Sequence, residues 1–284
     1  MKTVPFEALD PALYREVVRR ALAEDLGWGD VTTEAVVPLD LRAGGSIVAR
    51  GPCVLAGLEV AAETFRQLDP SCAFDAHFAE GQACAAGAVV ATVQGMAGSL
   101  LTAERTALNF LRRLSGIATL THRFVDQCAG RIVVLDTRKT TPTLRALEQY
   151  AVRAGGGANH RASLDDGVLI KANHVALAGT VTEAVRRMKA ANPEMPIEVE
   201  VRSLADVAEA LQAGVDTIVA NGFSADDVRE IVRRARGHAQ VALSGAIGIE
   251  EVDALAATGA DYISIDALTQ SAPAADLGFT LDRR

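Results

Sequence analysis

The chain opens on a helical pattern. Between Asp10 and Asp25, residues Leu13, Val17, Val18, Ala21 and Leu22 fall on one face, and Gly27 is placed to stop the helix. From Leu41 to about Gly95 the period shortens. Ser46–Arg50, Cys53–Leu55 and Ala88–Val93 predict strands, with Gly51-Pro52, Gly81-Gln82 and Gly95 as turns, and Val60–Leu68 predicts a helix among them. A strong helical pattern then runs from Thr102 to Leu114, with Thr102 in position to act as its N-cap.

Beyond it the pattern becomes a rhythm. Short apolar runs at Ile132–Leu135, Val168–Ile170, Ile197–Val201, Asp216–Ala220, Gln240–Leu243 and Tyr262–Ile265 are mostly β-branched. Helical segments such as Leu204–Ala213, Ala225–Arg236 and Glu250–Ala257 separate the later ones. This is the alternation of a parallel α/β sheet. Rhythm alone does not distinguish an open sheet from a closed one. Nearly every run, however, ends on a polar residue: Asp136 to Lys139, Lys171, Glu200, Asn221, Ser244 and Asp266. In a barrel these ends would converge on one mouth. In a doubly wound sheet they would spread along an edge, and no GxGxxG follows a strand to mark a dinucleotide crevice. The pattern favours a barrel.

Composition narrows the partners. The chain has 284 residues, 49% of them hydrophobic, and a net charge of −8, which argues against nucleic acid and anionic membrane surfaces. Cys53, Cys72, Cys84 and Cys128 show no metal-binding spacing and read as buried, reduced thiols. The N-terminus lacks the apolar run of a signal peptide, and no apolar stretch is long enough to cross a membrane. A cytoplasmic location is expected.

Against this acidic background, cations gather between Asp136 and His174: Arg138, Lys139, Arg145, Arg153, Arg161 and Lys171, with His160 and His174. Arg145 and Arg153 read as ordinary solvated charges. Arg138, Lys139 and Lys171 follow directly on strand runs, and His160 and Arg161 follow a run of small residues at Ala154–Ala158 that would admit a ligand close to the backbone. Cations at strand ends suit a small polyanion carrying phosphates, carboxylates or both. Ser244, Gly245 and Ala246 could offer backbone N–H groups to a phosphate at a helix start. Glu200 serves equally as a ligand for metal or sugar hydroxyl and as a structural carboxylate. Asp25 and Asp30 read as helix-end and turn residues. No GxSxG, HxxxH or HExxH occurs, so the chemistry implied is positioning and charge stabilisation, without a covalent intermediate.

Several motifs resemble those of the quinolinate phosphoribosyltransferase family. They include Ala103–Leu111, Leu114–Thr119, Leu135–Pro142, Tyr150–Arg153, Gly155–Gly157, Asn159–Arg161, Leu169–Lys171 with Asn173 and His174, and Ile197–Val201. Tyr262–Ser264, Ala267–Thr269 and Ser271–Pro273 continue the likeness, which also takes in Ala23–Gly27 and Gly29-Asp30 and so covers almost the whole chain. The resemblance implies an N-terminal α/β sandwich over residues 1–110, completed by 272–284, and an open α/β barrel over 111–271. It implies a homodimer and magnesium-assisted transfer of phosphoribose from phosphoribosyl pyrophosphate (PRPP) to quinolinate, with loss of CO2. It assigns the two carboxylates of quinolinate to Arg105, Arg138, His160, Arg161 and Lys171, with Arg105 reaching a partner's site. Lys139 and Lys171 would face PRPP, Glu200 its ribose and magnesium, and Thr137, Asn221, Ser244, Gly245, Ala246 and Asp266 would complete the binding surface.

The departures are concentrated. Ala220-Asn221-Gly222 stands where the family reads Leu-Asp-Asn, so a carboxylate becomes an amide. Ala242 to Ala246 stands where the family reads Glu-x-Ser-Gly-Gly, and Asp266 stands where it reads glycine. Ala172 replaces the usual acid after Lys171, and Thr143 a glycine after Pro142. A carboxylate at 266 would repel phosphate unless a cation or metal intervenes. Besides a quinolinate phosphoribosyltransferase with a remodelled PRPP pocket, these changes leave two readings open. One is a paralogue acting on another aromatic carboxylate or donor. The other is a non-catalytic subunit that binds a dicarboxylate or partners an active chain.

Overall fold

A computed structural model describes residues 7–283. In chain order the elements are α1 (Arg15–Leu26), α2 (Val31–Val36), β1 (Arg42–Ala49), β2 (Cys53–Val54), α3 (Leu58–Leu68), β3 (Ala73–Ala76), β4 (Ala83–Cys84), β5 (Val89–Met96) and α4 (Ala97–Cys128). There follow β6 (Val133–Leu135), α5 (Arg145–Ala154), β7 (Val168–Ile170), α6 (Ala172–Ala178), α7 (Val181–Ala191), β8 (Ile197–Val201), α8 (Leu204–Ala213), β9 (Thr217–Asn221) and α9 (Ala225–Ala235). The chain closes with β10 (Gln240–Ser244), α10 (Val252–Ala256), β11 (Tyr262–Ser264), α11 (Ala267–Gln270) and β12 (Leu277–Arg283). Residues 7–122, 140–156 and 268–283 belong to one compact unit, and residues 123–139 and 157–267 to a second. This division counts Thr140–Gly156 with the N-terminal unit, unlike the linear boundary at 110/111.

The first unit carries an antiparallel sheet ordered β12-β1-β5-β3 and a small β2–β4 ribbon. Ile47, Phe65, Val90, Val93, Leu100 and Leu111 form part of its core. Several local expectations change here. The first helix is preceded by a short 3-10 turn at Pro11–Leu13, which leaves Leu13 exposed and buries Tyr14 instead, alongside Val18 and Leu22. Gly95 lies within β5, paired with Ala43, because the ladder continues to Met96. Thr102 is no N-cap: α4 begins at Ala97, and the apolar stripe Leu100, Ala103, Ala107, Leu111, Leu114 and Ala118 carries it through. The Thr102 hydroxyl donates instead to Asp30 Oδ2 at 3.0 Å, while Asp30 caps α2 through Thr33 N–H. The short elements α2, β3 and β4 left no periodic signal in so few residues.

The second unit is a six-stranded parallel sheet ordered β6-β11-β10-β9-β8-β7. From β7 to β11 every strand pairs with its neighbour in the chain, and β6 returns to pair with β11. A doubly wound sheet reverses its strand order from the middle; this one runs round a cylinder and leaves a single seam between β6 and β7. The seam is crossed by residue 158, which bridges Leu135: Ala158 N–H donates to Val134 O at 2.8 Å, and Asp136 N–H to Ala158 O at 3.1 Å. The fold is therefore the barrel expected from the strand-end pattern, and open as the family resemblance implied. Buried Ile197, Val199 and Val201 on β8 and Ile218 and Val219 on β9 supply its core. Ser203 and Ser224 accept from backbone N–H groups at the starts of α8 and α9, which fixes where β8 and β9 hand over to their helices, and Thr180 does the same where α6 gives way to α7.

Candidate active site

A cavity of about 970 Å³ opens at the C-terminal ends of the barrel strands and runs inward to residues at their starts, such as Thr217, Gln240 and Tyr262. Thr137, Arg138, Lys139, His160, Arg161, Lys171, Glu200, Asn221, Ser244, Gly245, Ala246 and Asp266 all line it. Arg105 does not: it lies exposed on α4. Residues far apart in sequence thus meet because parallel strands all present the same end.

One side of the cavity is built on Asp136. Its carboxylate is fully buried and accepts from the His160 backbone N–H at 2.8 Å and from Asn159 Nδ2 at 2.6 Å. This holds the segment carrying His160 and Arg161 against the end of β6. The His160 Nε2 stands 2.8 Å from Glu198 Oε2, and Arg161 Nη1 donates to Gly167 O at 2.7 Å. Burial, and after it the nearby charge of Arg138, lower the pKa of the Arg161 guanidinium, against an opposing pull from Glu198. Two guanidinium groups that repel one another gain from an anion placed between them. A carboxylate meets that need geometrically as well, since it accepts the planar N–H fork.

The other side is balanced differently. Lys139 Nζ is 2.5 Å from Asp266 Oδ2, and the Asp266 side chain is 25% exposed, facing the cavity. Glu200 Oε1 accepts from Arg202 Nη2 at 3.2 Å. Lys171 caps α6, and its backbone N–H donates to His174 Nδ1 at 3.0 Å. Four permanent cations (Arg138, Lys139, Arg161 and Lys171) and five carboxylates (Asp136, Asp166, Glu198, Glu200 and Asp266) line the whole. The cation cluster read along the sequence is therefore electrostatically compensated in space.

Three expectations about backbone and surface change. Ser244–Ala246 does not open a helix, since α10 begins only at Val252. The small residues after Ala154 serve packing before ligand approach: a Cβ on Gly155 would lie 2.4 Å from Ala118 O of α4. Arg145 and Arg153 are half-buried, with Arg145 Nε donating to Thr140 Oγ1 at 3.0 Å and Arg153 lying 5.7 Å from the centre of the Tyr150 ring. Asp25 and Asp30 keep the structural roles expected of them, accepting from Thr106 and from Thr33 and Thr102.

Asn159, Glu198, Asp166, Gln240 and Tyr262 also line the cavity, and no site role was expected of them from sequence, although Asn159 and Tyr262 stand in motifs of the family resemblance. For Glu198 a signal existed. Ile197, Val199 and Val201 are buried while Glu198 and Glu200 alternate with them, so both acids share the other face of β8. Among the described residues no group of three or more His, Cys, Asp or Glu side chains could hold a metal ion. Magnesium needs no such cage: it keeps several waters and takes one or two carboxylates together with substrate phosphates. Glu200 fits that modest demand.

The chain matches two family profiles: Quinolinate phosphoribosyl transferase, N-terminal domain, over residues 30–115, and the C-terminal domain of the same description over 117–280. It is 43% identical over 277 residues to a nicotinate-nucleotide pyrophosphorylase [carboxylating] of Mycobacterium leprae, covering 94% of this chain and 96% of that one. A probable nicotinate-nucleotide pyrophosphorylase [carboxylating] of Bacillus subtilis is 38% identical over 266 residues, covering 93% and 91%. Among solved structures, NadC from Streptococcus pyogenes superposes with a TM-score of 0.95 at 37% identity, covering 98% of this chain and 99% of that one.

Proposed function

Because the chain belongs to the quinolinate phosphoribosyltransferase family, we propose that its barrel mouth converts quinolinate and PRPP to nicotinate mononucleotide, CO2 and pyrophosphate, a step in NAD biosynthesis. One observation carries the reading. Arg138, Lys139, His160, Arg161 and Lys171, spread over two strand ends and a seam-crossing segment, converge on one cavity of about 970 Å³, large enough for two small anionic substrates.

Arg138, His160, Arg161 and Lys171 hold the two carboxylates of quinolinate and so fix its ring. The pyridine nitrogen then faces C1 of PRPP and displaces pyrophosphate, forming the N-glycosidic bond as the C1–O bond breaks. The 2-carboxylate leaves as CO2, its bonding pair held next to the positive ring nitrogen, and a proton completes the product. Lys139 and Lys171 stabilise the departing pyrophosphate charge. Glu200 orients the ribose and holds magnesium, which when bound neutralises phosphate charge. Asp136 acts through others: its acceptor bonds set where His160 sits.

A homodimer completes the reading. Arg105 lies outside its own chain's cavity, which suits delivery from a second copy. Trp28, Val31, Val36 and Leu39 are exposed at 108%, 78%, 74% and 90%, a concentration of apolar surface that a partner would cover. A cytoplasmic setting suits the four free, buried cysteines.

The test is to incubate the protein with quinolinate, PRPP and magnesium and follow nicotinate mononucleotide by chromatography. Product above a protein-free control is expected. No product, with quinolinate binding retained in calorimetry, refutes the transferase and favours a dicarboxylate-binding subunit.

A further inference from the structure

We infer that Asp266 is a specificity-determining residue that makes the phosphate end of the cavity accept its polyanion as a magnesium chelate and discriminate against the free anion. The inference rests on the proposed function for which anion is bound, but its physical basis is the Lys139–Asp266 pair.

Lys139 stands at the end of β6 and Asp266 just past the end of β11, its partner strand, and their side chains meet at 2.5 Å inside the cavity. A lysine ammonium so placed is the natural receptor for a phosphate, yet here a carboxylate of the same chain already occupies it. Free pyrophosphate must displace that carboxylate. It must then share the mouth with it, because Asp266 is anchored to a barrel strand and its side chain is only 25% exposed. Two anions left unscreened in a partly enclosed site repel.

A divalent cation reverses the sign of that contact. Carboxylate oxygen is a hard ligand of the kind magnesium takes alongside phosphate oxygens. The exchange is then one of partners: Lys139 moves from Asp266 to phosphate, and Asp266 moves from Lys139 to the metal face of the chelate. The other cavity carboxylates are less suited to the exchange. Asp136 holds the His160 backbone, Glu198 is against His160, and Asp166 accepts from Ala162 N–H. Glu200, the other magnesium ligand of the proposed function, accepts from Arg202, so its contact with the metal exchanges no cavity cation onto phosphate. Asn221 and Ala242, which line the same cavity on neighbouring strands β9 and β10, carry no charge to offer. Asp266 is therefore the carboxylate on this side of the mouth whose present partner is itself a phosphate receptor.

The experiment is calorimetric titration with inorganic pyrophosphate, at constant ionic strength, in EDTA and again with saturating magnesium. Wild type, Asp266→Asn and Asp266→Gly are compared, the first variant keeping the side-chain volume should glycine disturb the fold. Magnesium is expected to tighten pyrophosphate binding to the wild type by about tenfold or more. In both variants metal-free binding should strengthen by a similar factor and the gain from magnesium should shrink. Variants that keep the full magnesium dependence of the wild type, or whose metal-free affinity is unchanged, overturn the inference. Since the probe is pyrophosphate and the readout is binding, it stands or falls separately from the formation of nicotinate mononucleotide.

Discussion

Replacing Arg113 with alanine is expected to destabilise the N-terminal unit severely. Arg113 directs Nε and Nη2 at Glu148 Oε1, at 3.1 and 2.9 Å, Nη1 at Ala272 O at 3.1 Å, and Nη2 also at Thr269 O. Glu148 is fully buried and also accepts from Thr141, through its N–H at 3.0 Å and its hydroxyl at 2.7 Å. Arg113→Ala therefore leaves a carboxylate in the interior with its counter-charge removed, and withdraws a donor from two carbonyls. Breaking a buried pair from one side costs about 3–5 kcal/mol. The 28% exposure of the arginine side chain admits some water and places the expectation toward the lower half. At about 2–4 °C per kcal/mol for a chain of comparable size, the thermal midpoint should fall by roughly 10 °C. Removing both charges with Arg113→Met and Glu148→Leu should recover part of the loss, because no ion is then stranded. Urea unfolding followed by circular dichroism reads all three proteins. An Arg113→Ala protein within about 1 kcal/mol of wild type, or a double variant no more stable than Arg113→Ala, refutes the argument.

Three further outcomes follow from the same geometry. Gly116→Ala should destabilise despite alanine's better helix propensity, because its Cβ would lie 2.0 Å from Pro273 O; a raised thermal midpoint would show that this contact yields easily. Asp69 is held below the usual carboxylate range by the Ser71 hydroxyl first and then by the Met96 N–H, so its stabilisation is present above the unfolded-state pKa and lost as pH falls through the folded one. The stability gap between wild type and Asp69→Asn should accordingly be full at neutral pH and narrow below about pH 4; a gap independent of pH refutes the assignment. Arg161→Ala should raise the KM for quinolinate by about tenfold to a hundredfold with little change in that for PRPP, the worth of one charge-assisted contact, and an equal rise in both would move Arg161 away from the carboxylate.

Much of the barrel is legible in the sequence. Val168–Ile170, Ile197–Val201 and Leu204–Ala213 coincide with β7, β8 and α8: β7 is a consecutive apolar run, β8 alternates buried Ile197, Val199 and Val201 with acids on the cavity face, and α8 carries its own cap at Ser203. The polar residue at the end of each run marks the mouth, and twelve candidates taken from those ends, the glycine-rich segment and the loops line the cavity. Where local pattern misled, a tertiary contact had overruled it. Thr102 carries the chemistry of a cap, but the stripe from Leu100 to Ala118 extends α4 past it on both sides. Gly155 suggests a ligand-facing backbone, but Ala118 O occupies the space.

The sequence alone established the alternation of strand and helix, the side of the sheet where chemistry would gather, and the cations able to meet an anion. Those are local properties, written within a few residues of one another. The charge of the site is not local. Lys139 meets Asp266 across 127 residues and His160 meets Glu198 across 38, because parallel strands wrapped into a cylinder bring all their C-terminal ends to one rim. Only the closed strand order, with its seam at β6 and β7, decided which carboxylate faces which cation. That pairing sets what the mouth can bind.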